Sequence, residues 1–102
     1  MEKTSPVDSR LIAAFDHLKS GRQDAACSAF QALLDVSPGN AIAVQMLGNI
    51  AYSVGEPLKA VAYFRRALEL DPSQTDVWCN LATAEFQADR FAEGFHAIDC
   101  AL

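Results

Sequence analysis

The sequence has no apolar run approaching the ~18–20 residues needed to cross a bilayer, so a membrane partner is not expected. Positive charge is scarce: 8 Lys and Arg stand against 13 Asp and Glu, for a formal net charge of −5. Nucleic acid and anionic membranes are bound by basic patches, and neither is expected here. Chain breakers are few, with 4 prolines and 5 glycines, and 51% of the residues are apolar. That composition suits one helical domain rather than a disordered chain.

Chemistry-bearing patterns are also missing. Cys27, Cys79 and Cys100 are odd in number and form no C-x-x-C pair, which predicts reduced, partly buried thiols in a reducing compartment. With His17 and His96 they give no zinc-ligand spacing. Asp99, Cys100 and His96 do share one helical turn, but at the end of the chain. No nucleophile–base dyad and no phosphate-cradling glycine loop occurs. The expectation is no catalytic residue, no metal and no cofactor. The opening residues lack the apolar core of a secretory signal, so the chain is expected in the cytoplasm.

What the sequence does contain is a repeat of 34 residues. Pro38 and Pro72 are one period apart, and so are Gly21 and Gly55, followed by Asp89. The same step joins Ala26, Ala60 and Gly94, then Phe30, Phe64 and Ile98, then Leu34, Leu68 and Leu102. A period of this length signals stacked supersecondary units. The units are 7–40, 41–74 and 75–102, after a tail at 1–6.

Each unit reads as two helices of about a dozen residues around a tight turn. In the middle unit, Val44, Leu47, Ala51 and Val54 form one apolar stripe at helical spacing. Gly55 is placed to stop that helix with a positive φ, and Pro57 to open the next at its first turn. Val61, Phe64 and Leu68 supply the second stripe. Asp71-Pro72-Ser73 ends the unit, because proline disfavours helical geometry in the residue before it. Gly21 and Pro38 do the same for the first unit, and Asp89 takes the turn position in the third. Ser5-Pro6 reads as the cap and first turn of the opening helix, leaving 1–4 as a frayed tail. Ala26, Ala60 and Gly94 fall where the second helix of each unit crosses its first, and small side chains there permit close axes.

These residues resemble the signature of the tetratricopeptide repeat family: W-x-x-L-G-x-x-Y, then A-x-x-x-F, then P. The middle unit shows Leu47-Gly48, Ala60-x-x-x-Phe64 and Pro72, with Val44 for the Trp and Ala51 for the Tyr. The third has Trp78 and Leu81-Ala82, with Glu85 at the Tyr place. The first keeps Ala26-x-x-x-Phe30 and Pro38, but has Arg10, Ala13, Ala14 and His17 in its opening helix. The resemblance implies an all-α fold, a right-handed superhelical solenoid of three antiparallel helix–turn–helix repeats. The first helix of each repeat would line a concave face.

On that basis the groove would present Asp8, Leu11, Ile12 and Phe15; then Ile42, Gln45, Met46, Asn49 and Ser53; then Asp76, Cys79, Asn80, Thr83 and Gln87. Leu11, Phe15, Gln45, Met46, Asn49, Cys79, Asn80, Thr83 and Gln87 are the candidate partner-binding residues. Apolar anchors beside amides suit an extended peptide or a partner helix. The alternative is that Leu11, Ile12, Phe15 and Met46 belong to the core of the array. Asn49 and Asn80 have the spacing by which chaperone-binding members hold a peptide carboxylate, but Gln45 replaces the first Lys of that clamp. The run from Asp76 to Ala82 also looks like repeats of O-GlcNAc transferase arrays, where inward asparagines bond the partner's backbone. Only Asn80 holds that place here, with Ile12 and Met46 at the equivalents.

The chain stops at Leu102 inside the last helix, leaving Phe91, Phe95, Ile98, Ala101 and Leu102 without a covering neighbour. That predicts either a piece of a longer protein or a homo-oligomer formed through the uncapped last helix. Three functions are compatible. The leading one is a non-catalytic interaction scaffold binding a protein or peptide in its groove. The others are the substrate-recruiting N-terminal region of a bacterial-type glycosyltransferase or sulfotransferase, and a self-assembling unit.

Overall fold

The computed structural model describes residues 6–101, and among them every regular element is helical. The expected tail at 1–4, the Ser5 cap, the Asp8 side chain and Leu102 lie outside the described residues. The helices are α1 (Pro6–Lys19), α2 (Gln23–Val36), α3 (Ala41–Ser53), α4 (Pro57–Leu70), α5 (Thr75–Gln87) and α6 (Phe91–Ala101). They pack as three hairpins, α1 on α2, α3 on α4 and α5 on α6, with α2 against α3 and α4 against α5 between them. The result is elongated, 49 × 26 × 20 Å.

The tight turns repeat one hydrogen-bond pattern at the 34-residue step. Gly21 N–H donates to Leu18 O at 3.1 Å and Arg22 N–H to His17 O at 2.9 Å. Gly55 to Tyr52 and Glu56 to Ala51 repeat it at 3.1 and 2.9 Å, and Asp89 to Phe86 and Arg90 to Glu85 at 3.1 and 2.7 Å. This double closure is the Schellman motif, which needs one residue in the left-handed region. Gly21 and Gly55 supply it at φ +77° and +84°, whereas Asp89 is held at φ 60°. A Cβ in that region costs roughly 1–2 kcal/mol, partly offset by the greater freedom glycine has when unfolded. Asp89→Gly is therefore expected to raise stability by about 0.5–1 kcal/mol, read as a higher urea midpoint with an unchanged slope.

The Pro57 ring occupies the first turn of α4, as expected. Asn40 caps α3, its Oδ1 accepting from Ala43 N–H at 3.0 Å. At the next unit boundary the Asp71 carboxylate accepts from Ser73 Oγ at 2.6 Å, from Ser73 N–H at 3.1 Å and from Gln74 Nε2 at 3.0 Å. The Ser73 hydroxyl, then Gln74 and the Ser73 amide, hold its pKa below the ordinary value.

The core is laid in two linked clusters. Ala14, Ala26, Phe30, Leu33, Ala43, Leu47 and Ile50 form the first; Val44, Phe64, Leu68, Val77, Leu81 and Ala97 anchor the second. Leu34 and Tyr63 pack against both, so the apolar interior runs through the array. Ala26, Ala60 and Gly94 are buried at the helix crossings, as their size predicted. Gly48 is closer still to its neighbour: a Cβ there would meet the Phe64 ring at 2.6 Å. One expectation fails. Val54 does not complete the α3 stripe but forms the C-cap, 51% exposed; Ile50, buried, takes the place on the core side.

Candidate functional site: the face of α1, α3 and α5

The first helices of the second and third hairpins touch, α3 packing on α5, whereas no comparable packing joins α4 to α6. Across these two hairpins the array therefore curves towards the side of α3 and α5. Gln45, Asn49, Asn80 and Gln87 lie along the α3–α5 contact on that side.

Between α3 and α5 three polar side-chain contacts run along this face. Gln45 Nε2 donates to Asp76 Oδ2, Asn80 Nδ2 to Asn49 Oδ1, and Gln87 Nε2 to the Tyr52 hydroxyl, each at 3.4 Å. Bonds of that length are at the weak end of the range. Their amides keep unused donors and acceptors, because each carboxamide can make up to four hydrogen bonds. Around the central pair, Asn49, Tyr52, Ser53, Phe64, Asn80 and Thr83 line a hollow of ≈ 260 Å³.

The remaining candidates divide by depth. Leu11, Phe15 and Met46 are half-buried and pack on the first core cluster, Phe15 meeting Phe30 edge-on with ring centroids 5.4 Å apart. Ile12 and Ile42 are 56% and 49% exposed. Cys79 is exposed, and Thr83 spends its hydroxyl proton on the Cys79 carbonyl at 3.0 Å. The Met46 sulfur lies 4.0 Å from Asn49 Nδ2. The polar half of the candidate set is thus brought together on α3 and α5, and the apolar half packs, partly buried, on the first core cluster.

Sequence reasoning missed the partners Asp76 offers Gln45 and Tyr52 offers Gln87. It also left Glu85 at the Tyr place without a role. That carboxylate is buried in the structure, accepting from Arg65 Nη2 at 3.3 Å. Among the described residues no group of three or more His, Cys, Asp and Glu is arranged to hold a metal. No described helix is long and apolar enough to cross a membrane. Cys100 Sγ and His96 Nε2 are 3.7 Å apart on the exposed side of α6.

A sequence profile described as tetratricopeptide repeat matches residues 13–75 and, in a second register, 46–98. The chain belongs to the tetratricopeptide repeat family. No protein with curated annotation matches its sequence significantly. Among solved structures, the crystal structure of MamA protein superposes with a TM-score of 0.90 at 20% identity, over 98% of this chain and 55% of that one. The second TPR of Spaghetti (RPAP3), bound to the HSP90 peptide SRMEEVD, gives 0.89 at 14% identity over 96% and 91%. The first TPR of Spaghetti, bound to the same peptide, gives 0.90 at 16% over 98% and 79%. This chain therefore spans about half the length of MamA. The shared fold is the all-α, right-handed array of helix–turn–helix repeats.

Proposed function

We propose that the chain is a non-catalytic interaction module that holds an extended peptide of a protein partner against α1, α3 and α5, in the cytoplasm. The observation carrying this reading is the row of three long side-chain contacts between α3 and α5. Amides that bond each other only weakly can exchange those bonds for a peptide's N–H and C=O groups at little cost. The half-buried Leu11, Phe15 and Met46 would take the apolar side chains of the same peptide. Spaghetti repeats of this fold carry a peptide in their solved structures, which supports a peptide as the kind of occupant. A carboxylate clamp of the chaperone-binding sort finds less support, because Gln45 is occupied by Asp76, an acidic residue that repels a peptide carboxylate.

The double variant Asn49→Ala with Asn80→Ala tests this reading on a peptide selected from a randomised library against the wild-type chain. Loss of two polar contacts of roughly 0.5–1.5 kcal/mol each predicts a Kd raised about 5- to 100-fold. Calorimetry supplies the Kd, and circular dichroism should show the helical signal unchanged. An unaltered Kd would remove the asparagines from the site.

A further inference from the structure

On the opposite side of the array, α4 and α6 stand apart over α5 and leave a crevice of ≈ 620 Å³. The repeat explains why it is open. One period earlier, Tyr63 packs on both core clusters, the second of which includes Ala51. The corresponding residues of the crevice are Ala97, too short to fill it, and Glu85, a carboxylate where the earlier unit has a methyl. Trp78 replaces Val44 and lines the crevice, its Nε1–H tied to Pro72 O at 2.9 Å.

Glu85 is only 1% exposed, and its two oxygens are unequal. Oε1 accepts from Arg65, whereas Oε2 is buried with no hydrogen-bond partner among the described residues. A buried carboxylate oxygen without a donor is unfavourable, so a donor supplied from outside has a strong reason to bind there. The lining carries Glu69, Glu85 and Glu93 against a single guanidinium, Arg65, with His96 on the α6 side. Arg90 reaches Glu93 only at 3.8 Å, with both side chains well exposed. The remainder of the wall is apolar: Leu68, Leu81, Ala92 and Ala97 beside the Trp78 indole.

We infer that this crevice is a second binding site, distinct from the concave face, and that it takes a lysine side chain presented by a partner protein. The aliphatic stem matches the Leu68–Leu81–Trp78 wall, and the ammonium faces the indole and the outer carboxylates and donates to Glu85 Oε2 once that carboxylate turns towards the crevice. An anionic ligand is disfavoured by the excess of carboxylates, and a purely apolar side chain leaves Oε2 without a donor.

Trp78 is the only tryptophan in the chain and reports on the site directly. The experiment titrates the full chain with a blocked Gly-Lys-Gly tripeptide, following Trp78 fluorescence and its indole N–H resonance. The same tripeptide with norleucine or acetyl-lysine in place of lysine provides the contrast. A saturable shift with the lysine peptide is expected, weakened about tenfold or more with either analogue and reduced by added salt. Glu85→Gln should weaken lysine binding to a similar degree. Ala97→Tyr, which restores the residue of the earlier unit, should fill the crevice and abolish binding in a folded chain. Equal responses to lysine and norleucine, binding unchanged in both variants, or no response to saturating lysine peptide would each overturn the site. The peptide contrast on the wild-type chain stands even where a variant does not fold.

Discussion

Phe64→Ala is expected to lower the unfolding free energy by about 3–5 kcal/mol, measured by urea denaturation followed at 222 nm. The ring is 1% exposed and sits in the second core cluster with Val44, Leu68, Val77 and Leu81. It packs directly against the Gly48 backbone, so its removal leaves a void in the α3–α4 contact. Both the lost transfer energy and the cavity then count against the variant. Small domains are stable by only about 5–15 kcal/mol, so one truncation removes a large share. The expectation fails if the loss is below about 1 kcal/mol, which would mean that α3 and α4 close the gap.

The second large effect comes from adding atoms rather than removing them. In Gly48→Ala the new Cβ falls 2.6, 2.8 and 3.1 Å from three atoms of the Phe64 ring. Overpacking a fixed core group costs about 1–3 kcal/mol, against a gain of about 1 kcal/mol from replacing glycine within a helix. The steric cost should be near the upper end, because the ring is buried on every side, and a net loss of up to about 2 kcal/mol is expected. Gly94→Ala supplies the control. Its Cβ would come nearly as close to the Phe86 ring, at 2.8 Å, but that ring is only partly buried. Phe86 stacks against Phe91 and Phe95, which are 56% and 61% exposed and free to give way. The helix gain should then roughly cancel the contact, leaving Gly94→Ala within about 0.5 kcal/mol of wild type. The two substitutions have the same chemistry and different expected outcomes because only the Phe86 ring has room to give way.

The features that were legible in the sequence are those the period repeats. Gly21 and Gly55 announced their turns because a Schellman closure needs a left-handed residue. Asp89 could be assigned the same job from its register alone, although its residue type argues weakly for it. Pro57 and the small residues at the crossings were equally readable. Val54 was misread because apolarity at helical spacing does not reveal where a helix stops; the Gly55 turn ends α3 one residue earlier and leaves Val54 outside.

The candidate site was half legible. Asn49 and Asn80 stood out by their spacing, and they do meet across α3 and α5. The pairing of Gln45 with Asp76 and of Tyr52 with Gln87 could not be read, because it depends on the sideways register of two helices more than thirty residues apart. Whether Leu11, Phe15 and Met46 belong to core or groove had no answer in the sequence either; the structure packs them, half-buried, on the first core cluster. Glu85 was visible as the wrong residue at a tyrosine place, yet its buried contact with Arg65 arises from a different helix. The crevice above it follows from Ala97 being short where Tyr63 is long, which becomes visible only once the units are compared in three dimensions.

A peptide selected from a randomised library on the immobilised wild-type chain can be titrated into labelled protein and its amide shifts mapped. Perturbations concentrated on α1, α3 and α5, with Asn49, Asn80 and Gln87 among the largest, are the predicted result. Shifts confined to α2, α4 and α6, or failure to select any peptide that distinguishes wild type from the Asn49→Ala, Asn80→Ala chain, would contradict a concave peptide site.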